Sequence, residues 1–252
     1  MPRHARQKSE TGIYHIILRG INRQAIFKDE ADRHRLFHTI KKYKDVSNYQ
    51  IYGYCFMDNH VHLLLKETTE PLFMAIKRMS GSYVFWFNWK YDRCGHLFQE
   101  RYKSEAVEDD SYFLTVLRYI HQNPVKACIT KKVSDYKWSS YHEYINESIM
   151  TDVDLALEMF SPDRQKAIEQ FIPFTNQQND DSCIDYDENV RITDSEIKAI
   201  LLQFGISNIN ELQRLDKNKR YEIIKAIKSV GSVTVRQLAK ITGMSKSTIS
   251  RI

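Results

Sequence analysis

Residues 50–66, QIYGYCFMDNHVHLLLK, decide the fold class. Two β-like runs, Gln50 to Phe56 and Val61 to Lys66, flank Met57-Asp58-Asn59-His60, whose Asp-Asn pair suits a tight hairpin. Upstream, Ile13 to Leu18 (IYHIIL) reads as a buried strand. Lys28-Asp29-Glu30-Ala31-Asp32-Arg33 then starts a helix, with Leu36, Phe37, Ile40 and Tyr43 at helical spacing to about Val46. Downstream, Glu70-Pro71 opens a long helix with Leu72, Ile76, Met79, Tyr83 and Phe87 on one stripe. A short strand near Tyr102 to Val107 follows. Asp109-Asp110-Ser111 next caps a helix carrying Phe113, Leu114, Leu117 and Ile120, which Pro124 limits.

The element order is β-α-β-β-α-β-α. Its first six members fit the split β-α-β arrangement, which predicts an α+β domain over residues 1–145: a ferredoxin-like antiparallel sheet with helices on one face. Residues 146–190 form an acidic connecting segment. Leu155, Leu157, Met159, Phe160, Phe171, Ile172 and Phe174 need burial there, so only about 175–190 reads as linker. Thr193-Asp194-Ser195-Glu196 is a capping box, and residues 191–252 read as a small all-α domain.

The 37 Lys and Arg outnumber the 32 Asp and Glu, a formal charge of +5 that is unevenly spread. Residues 1–150 hold 23 basic and 17 acidic side chains, with the whole excess in residues 1–50; residues 151–190 hold 2 and 10, and residues 191–252 hold 12 and 5. Two basic blocks around an acidic one suit a polyanionic partner. No run of 18 apolar residues could span a membrane, and the N-terminus lacks the apolar core of a signal peptide. Cys55, Cys94, Cys128 and Cys183 form no Cys-x-x-Cys pair, which argues against a disulfide framework or zinc ribbon and fits a reducing cytoplasm.

The chemistry concentrates in Asp58-Asn59-His60-Val61-His62. On a strand, residues i and i+2 face the same way, so His60 and His62 can present two imidazoles to one divalent ion. Two are too few for a closed site. In Tyr119-Ile120-His121-Gln122-Asn123-Pro124, Tyr119 and Asn123 stand at i and i+4 on one helix face, a phenol beside an amide oxygen. A phenolate next to an ion can attack a phosphodiester and become esterified to phosphate.

His60-Val61-His62 resembles the His-hydrophobic-His motif of HUH endonucleases. Together with Tyr119-Ile120-His121-Gln122-Asn123-Pro124-Val125 it resembles the REP-associated tyrosine transposases, a group of single-tyrosine transposases. Arg3-His4-Ala5-Arg6, Gly12-Ile13-Tyr14-His15, Arg19-Gly20-Ile21-Asn22-Arg23, Phe98-Gln99-Glu100-Arg101-Tyr102-Lys103 and Tyr136-Lys137-Trp138-Ser139-Ser140-Tyr141 extend the likeness over roughly residues 2–145. The resemblance implies an HUH-type fold, metal binding by His60 and His62, Tyr119 as nucleophile and Asn123 as amide ligand, with His121 and Gln122 as rivals. It also implies Mg2+ or Mn2+ and cleavage of single-stranded DNA near a palindromic hairpin through a 5′-phosphotyrosine. No nucleotide cofactor is needed, and the protein acts as monomer or homodimer in a nucleoid-associated cytoplasmic setting. Arg19, Arg23, Arg101 and Lys103 are expected phosphate contacts, and Arg3 and Arg6 are expected to reach into a groove or along a hairpin stem.

In the tail, Leu238, Ala239, Gly243, Met244, Ile249 and Ile252 have the spacing of a helix-turn-helix, although Thr242 stands where an apolar residue is usual. Ser245, Lys246, Ser247 and Arg251 would face DNA. The competing reading is a non-catalytic, sequence-specific DNA-binding regulator that uses only the basic surfaces and this motif.

Overall fold

Four strands form one antiparallel sheet: β1 (Ile13–Arg19), β2 (Gln50–Phe56), β3 (His60–Lys66) and β4 (Lys103–Ala106). Helix α1 (Glu30–Ser47) joins β1 to β2, helix α2 (Leu72–Lys90) joins β3 to β4, and the strands lie in the order β2-β3-β1-β4. The computed structural model describes residues 7–185, 193–230 and 233–252, and the chain divides into two compact units after Asp185.

The β2–β3 hairpin is tied down at its tip. The Asp58 carbonyl accepts from the N–H groups of Ile26 and Phe27 (2.9 and 3.4 Å), and the Asn59 carbonyl accepts from Gly20 N–H (2.8 Å). The turn that leads into His60 is therefore anchored to the loop leaving β1.

Tyr14, Ile16 and Leu18 of β1 enter one core with Val61, Leu63 and Leu65 of β3, beneath α1 and α2. Ile13, Cys55 and Leu64 enter a second core with Phe113, Val116, Leu117 and Ile120 of helix α3 (Asp110–Lys126). The expectation of helices on one face thus holds for α1 and α2 alone, because α3 covers the other face. Strands that are apolar on both sides have to be covered on both sides. Gly53 lets α3 come close: a Cβ there would sit 2.9 Å from Leu117 Cδ1. Pro124 does not end α3, which runs on to Lys126; the Pro124 carbonyl accepts from the N–H groups of Ile129 and Thr130.

The second core is completed by α4 (Tyr141–Ile145), α5 (Asp154–Glu158) and α6 (Arg164–Asn176), through Tyr144, Ala156, Leu157, Ala167 and Phe171. The boundary between units thus falls after Asp185 rather than near residue 145. Residues expected to act as a linker are docked: Asp181 receives two hydrogen bonds from Arg118, at 2.7 and 3.0 Å, with both side chains largely buried. That arginine needs a counter-charge inside the fold, and the acidic run supplies it.

Glu143 organises the 148–151 turn. Its carboxylate accepts from the N–H groups of Ile149, Met150 and Thr151 (3.0, 2.8 and 2.7 Å) and from the Tyr54 hydroxyl (2.8 Å). Burial works to raise its pKa, but those donors outweigh it and hold the carboxyl below the usual glutamate range. A depressed folded-state pKa gives stability that is present above the unfolded value and lost as pH falls through the folded one. Glu143→Gln is expected to cost about 2 kcal/mol at neutral pH. Thermal melts should show that gap closing as the pH is taken below the usual glutamate range, where the wild-type carboxyl protonates.

The second unit consists of α7 (Asp194–Gln203), α8 (Ile209–Arg214), α9 (Lys217–Val230), α10 (Val235–Thr242) and α11 (Lys246–Arg251), around Ile197, Leu212, Ile224, Ile227, Leu238 and Ile249. Gly243 has φ +67°, and a Cβ there would lie 2.7 Å from Ile209 Cδ1, so a sharp turn between α10 and α11 requires glycine. Thr242 is buried without penalty to its hydroxyl, which donates to the Leu238 carbonyl (2.6 Å) and accepts from Met244 N–H (3.3 Å). Among the described residues no helix is long and apolar enough to cross a membrane.

Candidate active site

The register of β1 with β3 sets Ile17 opposite His62 and Arg19 opposite His60, so both imidazoles leave the sheet on the same side. Their ring centroids are 4.8 Å apart. Each ring is held through Nδ1. His60 Nδ1 lies 2.7 Å from Asn59 Oδ1, and His62 Nδ1 lies 3.0 Å from Nε2 of His15 on β1. Because an amide oxygen only accepts, His60 Nδ1 carries the proton and Nε2 the lone pair. The Nε2 atoms of both His60 and His62 are buried and lack a hydrogen-bond partner.

Helix α3 brings Tyr119 over this pair. Its ring centroid is 5.9 Å from that of His62 and 6.0 Å from that of His15. The hydroxyl donates to Asp185 Oδ2 at 2.9 Å, and Lys126 Nζ stands 4.9 Å from the ring centroid. One turn on, Asn123 donates its Nδ2 to the Tyr119 carbonyl at 3.2 Å, and its side chain also interacts with His60 and Tyr119. The rival ligands point elsewhere. His121 is buried against Tyr141, Tyr144 and Phe171 with Nε2 2.8 Å from Ser140 Oγ, while Gln122 donates to the carbonyls of Thr175 and Gln177. Among the described residues no group of three or more His, Cys, Asp or Glu could hold a metal ion.

Burial pushes the His60 pKa down to about 4, with Asp185, the Asn123 side chain and Asp58 opposing the fall and Arg19 deepening it. His62 is held well below the usual histidine range, first by burial and then by His60, His15 and Arg19. Both rings are therefore neutral near pH 7, the form in which imidazole binds metals. Burial, then the Asp185 charge, raises the Tyr119 pKa above the ordinary tyrosine value, and the Asn123 side chain opposes the rise.

The expected DNA-contacting residues are dispersed. Arg19 is on β1 opposite His60, and Lys103 on β4 opposite Ile17, its Nζ donating to the Asp185 carbonyl at 3.0 Å. Arg23 is exposed just past β1, and Arg101 is exposed on a groove lined also by Leu18, Phe98 and Tyr102. Arg3 and Arg6 lie outside the described residues. Ser245 is the N-cap of α11 and accepts from Thr248 N–H at 3.1 Å, with Lys246, Ser247 and Arg251 exposed beyond it. Two contacts at the site escape sequence reading. His15 shares a face with His62 only once the β1–β3 register is known, and no periodicity marks Asp185.

Residues 8–123 match the family described as "Transposase IS200 like". Residues 8–123 are a domain of the single-tyrosine HUH transposase superfamily. The matched segment contains His15, His60, His62, Tyr119 and Asn123 and ends before Asp185. Residues 217–251, which span α9 to α11, match "Bacterial regulatory protein, arsR family". The solved structure of a REP-associated tyrosine transposase bound to a REP hairpin shares the fold at a TM-score of 0.55 and 17% identity, covering 77% of this chain and 99% of that one. A candidate transposase from Deinococcus radiodurans covers 48% of this chain and 97% of that one, at 18% identity and a TM-score of 0.34. No curated protein matches the chain.

Proposed function

We propose that this transposase cleaves and rejoins single-stranded DNA beside hairpin-forming repeats through a 5′-phosphotyrosine, on a ferredoxin-like core. The strand order β4-β1-β3-β2 with α1 and α2 on one face supports that core. The observation that carries the chemistry is the pair of buried, unpartnered Nε2 atoms of His60 and His62 beside Tyr119. Those two atoms and the Asn123 oxygen fit a Mg2+ or Mn2+ ion. Once bound, the ion polarises the scissile phosphate.

The chain's own residues account for the remaining steps. The Tyr119 oxygen attacks phosphorus, the bond to the 3′ oxygen breaks, and a phosphotyrosine forms on the 5′ side. The phenol loses its proton and the leaving 3′ oxygen gains one. A free 3′-OH reverses the exchange, so one phosphate ester replaces another and no nucleotide cofactor is consumed. One chain supplies both histidines, the tyrosine and the amide, so the site is complete in cis whether the protein is a monomer or a homodimer. The relative that shares this fold was solved with a REP hairpin, which supports a hairpin with unpaired flanks as substrate. Arg19, Arg23, Arg101 and Lys103 would supply phosphate contacts, and the exposed residues of α11 would dock on DNA. The arsR-family match also accommodates a purely regulatory DNA-binding protein. Incubation with 5′-unpaired hairpin DNA and Mn2+ separates the two: a covalent adduct mapped to the peptide containing Tyr119 is expected, and binding without any adduct leaves the regulator.

Asp185 restrains this reaction. An ordinary carboxylate is about six pK units too weak to hold a tyrosine proton, a gap of about 8 kcal/mol, so an aspartate is a poor base for a phenol. Its negative charge instead opposes both phenolate formation and an incoming phosphate. Asp185→Asn is expected to raise single-turnover cleavage several-fold and to move the alkaline rise of the pH–rate profile to lower pH. A slower variant would make Asp185 the proton acceptor.

A further inference from the structure

We infer that His15 is a positioning residue that fixes the tautomer of His62, leaving His62 Nε2 as the bare, metal-binding nitrogen. The inference rests on the metal-binding reading above and adds to it a residue with no direct access to the ion. His15 is fully buried in β1, between Ile13 and Ile17 on the same face of the strand, and its Nε2 lies 3.0 Å from His62 Nδ1. Of two imidazole nitrogens in contact, one has to donate and the other accept. If His62 Nδ1 donates, its Nε2 keeps the lone pair; if it accepts, Nε2 carries a proton and cannot bind a cation. His62 Nε2 and His15 Nδ1 are both buried without a hydrogen-bond partner, and the metal-binding reading puts the lone pair on His62 Nε2, in the ring that packs beside His60 and Tyr119. His15 Nε2 is therefore the acceptor and its Nδ1 carries the proton.

The contact with His62 accounts for a polar ring at this place in the strand. A Phe or Leu would fill the space at lower desolvation cost, and His15 Nδ1 finds no partner of its own. The ring earns its position through one contact, and it also packs edge-on against Tyr119 at a centroid distance of 6.0 Å. His60 has the equivalent device in Asn59, whose oxygen accepts at 2.7 Å. Each candidate metal-binding histidine is thus oriented from behind by a separate residue, the arrangement by which outer-shell acceptors set ring orientation and ligand basicity.

The test uses the full chain, freed of metal, with Mn2+ followed by electron paramagnetic resonance and imidazole tautomers followed by proton–nitrogen NMR. Wild type is expected to bind one Mn2+ and to show His62 as the Nδ1–H tautomer before metal is added. His15→Phe should lose the fixed tautomer and weaken Mn2+ binding ten- to hundred-fold, with cleavage restored by raising Mn2+. His15→Gln places an amide oxygen near the position of Nε2 and should bind Mn2+ within a few-fold of wild type. A folded His15→Phe with unchanged Mn2+ affinity overturns the inference. So does a wild-type His62 protonated on Nε2, a result that does not depend on whether the phenylalanine variant folds. Failure of wild type to bind Mn2+, or binding that survives His60→Ala, removes the metal-binding reading itself.

Discussion

Tyr119→Phe is expected to abolish the covalent DNA adduct and to lower strand cleavage by roughly a millionfold, the scale reached when a covalent nucleophile is deleted. The substitution removes one oxygen whose contact is the hydrogen bond to Asp185. The ring keeps its packing against His15 and His62 and its place near Lys126. The fold and hairpin affinity should therefore be retained, and an electrophoretic shift assay run beside the cleavage assay checks this. Other phenols on the same helix and near it are committed elsewhere. Tyr112 donates to Glu105 at 2.6 Å, and Tyr144 donates to the Tyr52 carbonyl at 2.6 Å inside the second core. Cleavage by the phenylalanine variant within tenfold of wild type would place the nucleophile outside Tyr119 and sink the phosphotyrosine mechanism.

The parts of this site that follow from short-range geometry were legible in the sequence. Strand parity puts His60 and His62 on one face, and helical spacing puts Tyr119 and Asn123 on another; neither depends on anything beyond a few residues. The meeting of those two faces does depend on more. It requires α3 to lie on the side of the sheet opposite α1 and α2. The sign of that was already in IYHIIL and VHLLL, whose apolar residues fall on both faces. A single helical layer would have left Ile13, Ile17 and Leu64 in water. Choosing between His121, Gln122 and Asn123 needed the rotation of α3, which the contact of Leu117 with Gly53 and the packing of His121 among Tyr141, Tyr144 and Phe171 set. Asp185 was beyond reach, because it is 66 residues from Tyr119 in sequence and arrives through an irregular segment pinned by Arg118 and Asp181. The acidic run looked like a spacer because charge patterning describes solvated chains, and here a buried arginine recruits it.

Removal of either histidine is the second large effect. His60→Ala and His62→Ala should each weaken Mn2+ binding by more than about 100-fold, beyond the range typical of outer-shell changes, and EDTA should abolish the adduct while hairpin binding persists. The pH dependence gives a sharper check on these particular rings. A proton and a cation compete for the same Nε2 lone pair, so an ordinary pair of histidines with pKa values of about 6.5 would lose about 100-fold in metal affinity between pH 7.5 and 5.5. Burial lowers the His60 pKa to about 4 and holds His62 well below its ordinary value, which keeps both lone pairs free through that interval. Mn2+ affinity is therefore expected to change by less than about twofold from pH 7.5 to 5.5 and to fall only as the pH approaches about 4. A steep loss already at pH 6 would mean that the rings are solvated when DNA and metal bind, and that the site opens more widely than the burial of these rings indicates.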